Sequence, residues 1–488
     1  MSTMLLLGPV AVPLLAALAV AIFGWRRSTA YASVVGGCVV LADGGMLAAR
    51  TQARHLALGH LLRADALTAL MVIVIGAVST LAIWASIEYL GVEINAAHTT
   101  SARARQYGVL VNVFVTTMAL AVLANNFGVM WVAIEATTVT TAFLVGHRRT
   151  RTSLEATWKY VIICSVGIAL AFLGTVLLYY ASLHAGATAG ALDVDTLAAR
   201  AAQLDPGVTR LAAVLLLLGY GAKVGLTPFH TWLADAHSEA PAPVSALMSG
   251  VLLSVAFSVL LRVKVVIDIA LGTGFLRVGL LVVGLLTLAI AASLLLVQRD
   301  YKRMLAYSSL EQMALVAIAA AAGTKLAIAA LLLHVLAHGL GKSVLFIGAG
   351  HLQLAHDSTA IADVTGVIRR NRLLGFSLAA GFVALLGLPP FALFASEIAI
   401  ARGVADVHLS WALAVALPLV VVAFAAIARQ GVAMLLGPAA TGSPALVFRR
   451  AVAAPMIVGL LACGLLGVTA GPLSQVLGIA GSSLASVQ

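Results

Sequence analysis

Three charged residues stand alone inside long apolar stretches of the sequence, where a charge is costly and therefore informative. Glu135, Lys223 and Glu397 are the only charged residues of the windows 127–146, 211–229 and 373–400. A charge at a helix centre costs about 2.5–3.5 kcal/mol on membrane-insertion scales, so each needs a partner, a cavity or a function. We predict that all three lie on an ion path. The alternatives are an interhelical pair or a side chain that reaches the membrane interface.

The residues that follow Lys223 indicate why a lysine suits such a path. Pro228 lies five positions later, and because proline lacks an N–H it disturbs the helix and frees backbone carbonyls. A polar pocket of this kind would let the Lys223 ammonium release its proton, whereas an arginine would keep its charge. The pattern therefore favours proton exchange at Lys223 when a carboxylate partner moves.

His334, His338 and Lys342 are spaced four positions apart. Successive positions then differ by about 40°, so all three share one face of a helix. Imidazoles titrate near neutral pH and can pass protons along a polar stripe, which predicts a proton relay. The alternatives are packing with interhelical hydrogen bonds, and metal binding. A metal site is disfavoured because the HExxH pattern is absent and no third ligand is evident.

Five further residues are secondary candidates: Lys159, His230, Asp235, His237 and Glu311. The group at 230–237 follows the predicted helix break and is assigned to the mouth of a half-channel, or else to a surface loop. Glu311 follows a basic helix start and has either an ion-path role or an interfacial hydrogen bond. Lys159 stands between Trp158 and Tyr160, which is typical of an aromatic belt at the membrane interface. A role beside Glu135 is the alternative for Lys159.

A five-residue phrase occurs twice, as Gly225-Leu-Thr-Pro-Phe229 and as Gly387-Leu-Pro-Pro-Phe391. Both copies lie within apolar segments, and we predict that Pro228, Pro389 and Pro390 break the helices. Paired helix interruptions beside intramembrane charges are typical of transporters built from two repeated halves. The alternative is chance, because glycine and proline are frequent in membrane helices.

The elements that must position these residues are membrane helices. The 488 residues are 62% hydrophobic and 10% charged, with a mean hydropathy of +1.08, which excludes an ordinary soluble domain. Residues 1–25 carry no charge and lack a basic leader, so we predict an uncleaved first helix. A spanning helix needs about 20 apolar residues, and barrel strands would be shorter and alternating. We predict an all-α integral membrane protein of about fourteen helices, near 4–23, 31–48, 65–90, 109–124, 127–146, 160–181, 209–229, 243–261, 275–297, 304–321, 326–350, 373–400, 410–436 and 451–470.

The basic residues cluster at the ends of these segments. The formal net charge is +11, from 29 Lys and Arg against 18 Asp and Glu. Most clusters follow odd-numbered predicted helices, so the positive-inside rule predicts a cell (plasma or inner) membrane protein with both termini outside. No soluble basic region is present that would bind nucleic acid, and the lipid bilayer is the predicted surrounding. The clusters are Arg26-Arg27, Arg103 with Arg105, Arg148 to Arg151, Arg299 to Arg303, Arg369 to Arg372, and Arg449-Arg450.

The two copies of the phrase fall in predicted helices seven and twelve, five helices apart. Because an odd number of helices reverses orientation, we predict two inverted five-helix repeats related by a pseudo-twofold axis in the membrane plane. The predicted division is 1–108 for helices one to three, 109–263 for the first repeat (helices four to eight), 264–436 for the second repeat (helices nine to thirteen) and 437–488 for helix fourteen.

The cysteines offer no cofactor site. Cys38, Cys164 and Cys463 are far apart, and the sequence contains no CxxC pair and no glycine-rich phosphate loop. We therefore expect no cofactor in this chain. Any redox chemistry would belong to partner subunits.

Longer motifs around the candidate residues resemble a known superfamily. Over about residues 60–440 the chain is similar to the proton-pumping antiporter-type membrane subunits of respiratory complex I, Mrp cation/proton antiporters and membrane-bound group 4 hydrogenases. Segments 134–138 and 158–175 resemble hydrogenase-4 component F and related hydrogenase subunits. The motifs that carry the resemblance are Lys223-Val-Gly-Leu-Thr-Pro-Phe-His230-Thr-Trp-Leu-Ala-Asp235-Ala-His237, Ala240-Pro-Ala-Pro-Val-Ser-Ala-Leu247, Lys302-Arg-Met-Leu-Ala-Tyr-Ser-Ser309 and Leu388-Pro-Pro-Phe391.

The resemblance implies a role for each candidate residue. Glu135 and Lys223 would form a coupled acid–base pair, and Glu397 would be the terminal exit residue. The stripe at 334–342 would be the central relay. Complex I relatives often carry histidine where this sequence has Ser249 and Gln312, so a relay step through the eighth helix would need water.

The resemblance also implies a non-redox subunit that translocates protons, with Na⁺ as the other candidate ion. It would work inside a multisubunit oxidoreductase such as a membrane-bound hydrogenase or a complex I-like NADH dehydrogenase. Its partners would be other membrane subunits and a peripheral redox arm, which would hold any Fe–S, Ni–Fe or flavin group. Two alternatives stay open: a free-standing or Mrp-type Na⁺/H⁺ antiporter subunit, and an apolar scaffold that conducts no ion.

Overall fold

The fold is all-α, as predicted. The structure is a computed structural model that describes residues 2–51, 55–438, 446, 448 and 450–485, so Arg449 and part of the predicted segment 437–488 lie outside the described residues. Its helices are α1 (Ser2–Phe23), α2 (Arg27–Ala48), α3 (Ala66–Asn95), α4 (Ser101–Leu123), α5 (Phe127–Val145), α6 (Arg151–His184), α7 (Val194–Arg200), α8 (Pro206–Val224), α9 (Trp232–Glu239), α10 (Ala242–Leu247), α11 (Leu253–Leu271), α12 (Gly274–Val297), α13 (Tyr301–Ala322), α14 (Lys325–His356), α15 (Val367–Arg370), α16 (Arg372–Leu385), α17 (Ala392–Ala405), α18 (Ser410–Leu436), α19 (Arg450–Val468) and α20 (Gly471–Leu484).

Twelve spans in the described part of the chain are individually long and apolar enough to cross a bilayer, and the pair α19 and α20, bent by 70°, forms a further candidate. Every one of the fourteen predicted runs falls on a helix of the structure. The twelfth run is divided between α16 and α17, neither of which is long enough alone. The fourteen predicted helices therefore compare with twelve or thirteen candidate spans in the described residues. The remaining difference is the twelfth run, which the second break divides.

One short antiparallel hairpin was not predicted. It pairs β1 (His55–Ala57) with β2 (Leu62–Ala64), between α2 and α3. Asp65 follows β2 and caps α3, accepting a 2.9 Å hydrogen bond from the Thr68 amide. The Arg262 guanidinium on α11 makes two contacts of 2.8 and 3.1 Å to the Asp65 carboxylate. This bidentate pair ties the end of the hairpin to the middle of α11.

The two copies of the repeated phrase both interrupt a helix. The first lies between α8 and α9, and the second between α16 and α17. Gly225 and Gly387 adopt φ values of 87° and 60°, a left-handed conformation that favours glycine and ends the preceding helix. The first break is held by two contacts: the Trp232 indole donates to the Ala222 carbonyl at 2.9 Å, and the Thr227 amide donates to the Thr287 hydroxyl at 2.9 Å.

Helix α14 forms the centre of the molecule. It packs against α3, α10, α13, α16, α17, α19 and α20, and its apolar window is entirely buried. A π-helical turn, Met248–Leu252, joins α10 to α11 and crosses α14 at very short range. A Cβ on Gly339 would lie 2.8 Å from the Gly250 carbonyl oxygen, so the two backbones touch only because both residues are glycine. The division into two inverted repeats stays a prediction.

Candidate ion path

Lys223 occupies the last turn of α8, immediately before the first break, and its side chain is fully buried. The ammonium donates a 2.6 Å hydrogen bond to the Tyr160 hydroxyl and a 2.9 Å hydrogen bond to the Thr138 hydroxyl. It also lies 4.8 Å from the centre of the Tyr160 ring, where the face of the ring attracts a cation. Two hydroxyls that both donate and accept hydrogen bonds can pass a proton to or from a lysine.

Glu135 does not form an ion pair with Lys223 in this structure. Glu135 lies half-buried on α5, one turn before Thr138, and its Oε2 atom is buried without a hydrogen-bond partner in the described part of the chain. The sequence predicted that the Glu135 carboxylate contacts the Lys223 ammonium. In the structure the Thr138 and Tyr160 hydroxyls make those contacts instead. The coupling of Glu135 to Lys223 stays a prediction.

Tyr160 and Lys159 differ from the predicted interfacial pair. Tyr160 is fully buried and packs edge-on against Trp232, with ring centres 5.0 Å apart. Lys159 is half-exposed and pairs with Glu155 at 2.7 Å and with Asp235 at 3.0 Å, so it does not contact Glu135. Adjacent residues of a helix point in different directions, and the sequence alone did not show which of the two entered the interior.

The predicted stripe on α14 is present, and all three of its side chains are fully buried. Lys342 donates to the Leu305 carbonyl at 2.6 Å and to the Ser308 hydroxyl, both on α13. The His334 Nδ1 atom lies 3.1 Å from the Ser396 hydroxyl. Neither ring nitrogen of His338 has a hydrogen-bond partner among the described residues. An imidazole with both nitrogens uncommitted can take a proton at one and release it from the other.

A pair of serine hydroxyls lies beside the Lys342 end of the α14 stripe. Ser249, in the π-helical turn, is 2.7 Å from Ser309 on α13, hydroxyl to hydroxyl. Ser309 is adjacent to Ser308, which contacts Lys342. The sequence marked Ser249 only as a departure from histidine. The signal that was missed is the serine pair at 308–309, which places two hydroxyls beside Lys342.

Two carboxylates, one buried and one half-buried, lie near the second break. Glu311, on α13, accepts a 3.0 Å hydrogen bond from the Gln312 amide. Glu397, on α17, lies against the backbone of Gly387, because a Cβ at Gly387 would be 2.3 Å from Glu397 Oε2. Glu397 interacts electrostatically with Gln312 and Glu311, because α13 packs against α17. The structure therefore brings Glu311, which was a secondary candidate, together with the predicted exit residue.

The predicted mouth divides into an outer and an inner part. His230 and Asp235 line an open cavity of about 640 Å³ together with Arg303 and Tyr307, and Arg303 pairs with Asp235 at 2.5 Å. His237 is not at the mouth. It is fully buried, has no hydrogen-bond partner at either ring nitrogen within the described residues, and stacks on Phe346 with ring centres 5.4 Å apart.

Phe346 places His237 beside the relay. On α14, Phe346 lies four positions after Lys342 and continues the same face. His237 therefore adds one further ionisable group next to the stripe. Among the described residues, no group of three or more His, Cys, Asp or Glu side chains is placed to hold a metal ion.

Comparison with known proteins identifies the family. The family model for NADH:quinone oxidoreductase/Mrp antiporter transmembrane proteins matches residues 124–423, more than half of the chain. The chain is 40% identical over 313 residues to a hydrogenase-4 component F homolog from Methylacidiphilum infernorum (isolate V4), covering 63% of this chain and 65% of that protein. The match thus spans somewhat less than two thirds of the relative's own length.

Solved structures share the fold over nearly the whole chain. One is a chain of the membrane-bound sulfane sulfur reductase, an archaeal respiratory membrane complex, with a TM-score of 0.86 and 22% identity, covering 99% of this chain and 97% of that chain. Another is from the Mrp complex of Dietzia sp. DQ12-45-1b, with a TM-score of 0.84, 19% identity and the same coverage. This multi-pass membrane protein therefore belongs to the NADH:quinone oxidoreductase/Mrp antiporter transmembrane family.

Proposed function

We propose that this chain translocates protons as a membrane subunit of a multisubunit oxidoreductase, of the membrane-bound hydrogenase or complex I-like type. The observation that carries the proposal is two groups of buried ionisable and hydroxyl side chains in hydrogen-bond contact. Lys223 contacts Thr138 and Tyr160, and Lys342 contacts Ser308, beside the Ser249–Ser309 pair. We propose that protons pass from Glu135 and the first group to the second group and then along α14 to Glu397. Isolated charges persist at such depth when they have a function.

The proposed path has a side entrance and an exit. Protons would enter from the cavity at Asp235 and reach Lys342 past His237. The His237 ring stacks on Phe346, which lies on the same face of α14 as Lys342. They would pass His338 and His334 and leave at Glu397, beside the second helix break. Unwound backbone at a break has N–H and C=O groups that are free to contact an ion, whereas a continuous helix uses them in its own hydrogen bonds.

The free energy for transport must come from outside this chain. A change of state is driven only by a ligand or partner that binds the two states differently. We propose that a redox event in a partner subunit displaces Glu135, so that the Lys223 ammonium gives up or regains its proton through Tyr160 and Thr138. Partner membrane subunits and a peripheral arm would carry any Fe–S, Ni–Fe or flavin group. Both termini are proposed to face away from the cytoplasm in the cell membrane.

Lys223→Met tests the proposal in the intact assembly, reconstituted into vesicles and supplied with its electron donor. We expect proton flux to be lost while the variant remains inserted and assembled. Glu135→Gln should behave in the same way, and Glu135→Asp should be milder because it keeps the acid. The matched control is Lys264→Met with Asp268→Asn, which removes a buried pair, 2.5 Å apart, that lies off the path. Normal flux in Lys223→Met would favour the scaffold alternative.

The second candidate is an Mrp-type Na⁺/H⁺ antiporter subunit. The structural likeness to the Mrp complex and the two carboxylates at the second break favour it. An imposed Na⁺ gradient separates the two functions, because an antiporter would move protons without any electron donor. Proton flux that requires the donor supports the oxidoreductase subunit.

A further inference from the structure

Glu311 and Gln312 form one polar group in an otherwise apolar part of α13. Only 4% of Glu311 and 1% of Gln312 are exposed. The Gln312 Nε2 atom donates to Glu311 Oε2 at 3.0 Å, while Gln312 Oε1 is buried with no hydrogen-bond partner among the described residues. A buried amide oxygen without a donor is costly, so this oxygen needs a positively charged or proton-bearing neighbour.

Glu397 approaches the same amide from α17. Its carboxylate lies over Gly387, where added side-chain atoms would clash at 2.3 Å with Oε2 and 3.0 Å with Oε1. Glu311 and Gln312 are its interacting polar neighbours. The carbonyls of Leu386 and Gly387, in the break itself, accept no backbone hydrogen bond among those of the described residues. The two carboxylates and the amide therefore lie beside backbone whose carbonyls are not used by a helix.

The charges around these oxygens do not balance. Two ionised carboxylates that face one amide repel each other, and the low dielectric of the interior strengthens the repulsion. The other titratable groups nearby are Lys342, His334 and His338, all on α14. Lys342 is held by Leu305 and Ser308 and His334 by Ser396, and no described cation forms an ion pair with Glu311 or Glu397.

We propose that Glu311, Gln312 and Glu397 form one binding site for a single monovalent cation, a proton or Na⁺, which the two carboxylates share. The proposal rests on the proposed function for its place at the exit of the path. One bound charge removes the repulsion between the carboxylates, and with Na⁺ the uncommitted Gln312 oxygen becomes a third ligand. Glu311 then acts with Glu397 as half of the exit site.

Thermal unfolding of the purified full-length chain in detergent tests the site without any transport. NaCl is varied against choline chloride at fixed ionic strength, at pH 6 and at pH 8. If Na⁺ is the shared cation, we expect NaCl to raise the Tm by about 2–4 °C as the site saturates. If a proton is shared, the Tm gain appears on going from pH 8 to pH 6 and does not depend on Na⁺.

The variants identify the ligands. Glu311→Gln and Glu397→Gln should each lose the dependence that the wild type shows, while the matched control Asp43→Asn, a buried carboxylate on α2 that lies outside the proposed path, should retain it. Gln312→Leu keeps both carboxylates and should require at least tenfold more NaCl, or tenfold more protons, for the same gain. An unchanged dependence in both Glu311→Gln and Glu397→Gln, or no dependence in the wild type, overturns the site. Because the protein is at rest, the result is independent of whether the chain pumps.

Discussion

The Tyr160 hydroxyl accepts a 2.6 Å hydrogen bond from the Lys223 ammonium, and both groups are fully buried. The lysine that immediately precedes the first break is thus bound to α6 through Tyr160, and to α5 through a longer hydrogen bond to Thr138. If Tyr160 only packed in the interior, its hydroxyl would be dispensable. If it passes or positions the proton, the hydroxyl is required.

Tyr160→Phe distinguishes these roles, because it keeps the ring that packs against Trp232 and removes one oxygen. We expect a proton flux about tenfold lower than in the wild type, which corresponds to about 1.4 kcal/mol of barrier. The measurement is flux in reconstituted vesicles with the electron donor. Tyr220→Phe is the matched control, because Tyr220 is equally buried and its hydroxyl has no hydrogen-bond partner among the described residues. Equal flux in the two variants would rule out a proton role for Tyr160.

Gly387→Ala tests the contact between the second break and Glu397. The new methyl group would lie 2.3 Å from the carboxylate and must displace it, in addition to straining a backbone with φ of 60°. We expect a flux at least tenfold lower together with a small loss of Tm. Gly59→Ala is the control, because Gly59 has nearly the same φ, 62°, and nothing lies within 4 Å of the added carbon. Gly59→Ala should therefore lose Tm alone, and a matching loss of flux would contradict a specific role for Glu397.

The Asp65 carboxylate predicts a pH dependence of stability. Burial raises its pKa, but the Arg262 guanidinium, Arg63 and the Thr68 amide outweigh burial and hold the pKa well below its usual range. A carboxyl whose pKa is lowered by folding stabilises the folded state fully when the pH is above its unfolded-state pKa, near 3.9. This stabilisation is lost as the pH falls toward and through the folded-state pKa. The Tm of the wild type should therefore fall as the pH is lowered below about 4.

Asp65→Asn provides the comparison for that pH series. It leaves Arg262 buried without its counter-charge, which costs on the order of 3–5 kcal/mol, and it should flatten the acid limb of the Tm profile. Asp195→Asn is the control, because Asp195 contacts Arg63 at 3.2 Å and is the more exposed carboxylate. A steep acid limb in Asp65→Asn would show that other carboxylates dominate the acid response.

The proposed topology can be checked at the C-terminus. We expect a phosphatase reporter that works only outside the cytoplasm to be active when fused after Gln488. The same reporter placed after Arg149, in a connection with a basic cluster, should be inactive. The reverse pattern would invert the whole arrangement, and with it the side from which the Asp235 cavity takes its proton.

The positions of the membrane helices could be predicted from the sequence because hydrophobic length is a local property. The repeated phrase likewise marked both interruptions, since Gly225 and Gly387 carry their conformational requirement in their own residue type. What could not be predicted depends on contacts between distant segments. Tyr160 was assigned to an interface because it stands beside Trp158, and only the packing of α6 on α8 and α9 brings it to Lys223.

His237 and Glu311 illustrate the same limit. His237 follows the break closely in sequence, which indicated a mouth, but α9 turns its ring inward onto Phe346. Glu311 lies shortly after a basic helix start, which left an interfacial role open. Its neighbouring carboxylate, Glu397, comes from α17, more than 80 positions later. The local sequence pattern identified the ionisable candidates, but which of them contact one another depends on tertiary packing.

The crossing of Gly250 and Gly339 bears on how movement could travel through the protein. One glycine lies in each of the two predicted repeats, and where they meet the main chains touch with no side chain between them. Side chains absorb small displacements by changing rotamer, but two backbones in contact have no such slack. We therefore expect a shift of the π-helical turn to move α14 as a unit, carrying its histidines and lysine together. The crossing would then act as a rigid pivot between the two predicted repeats.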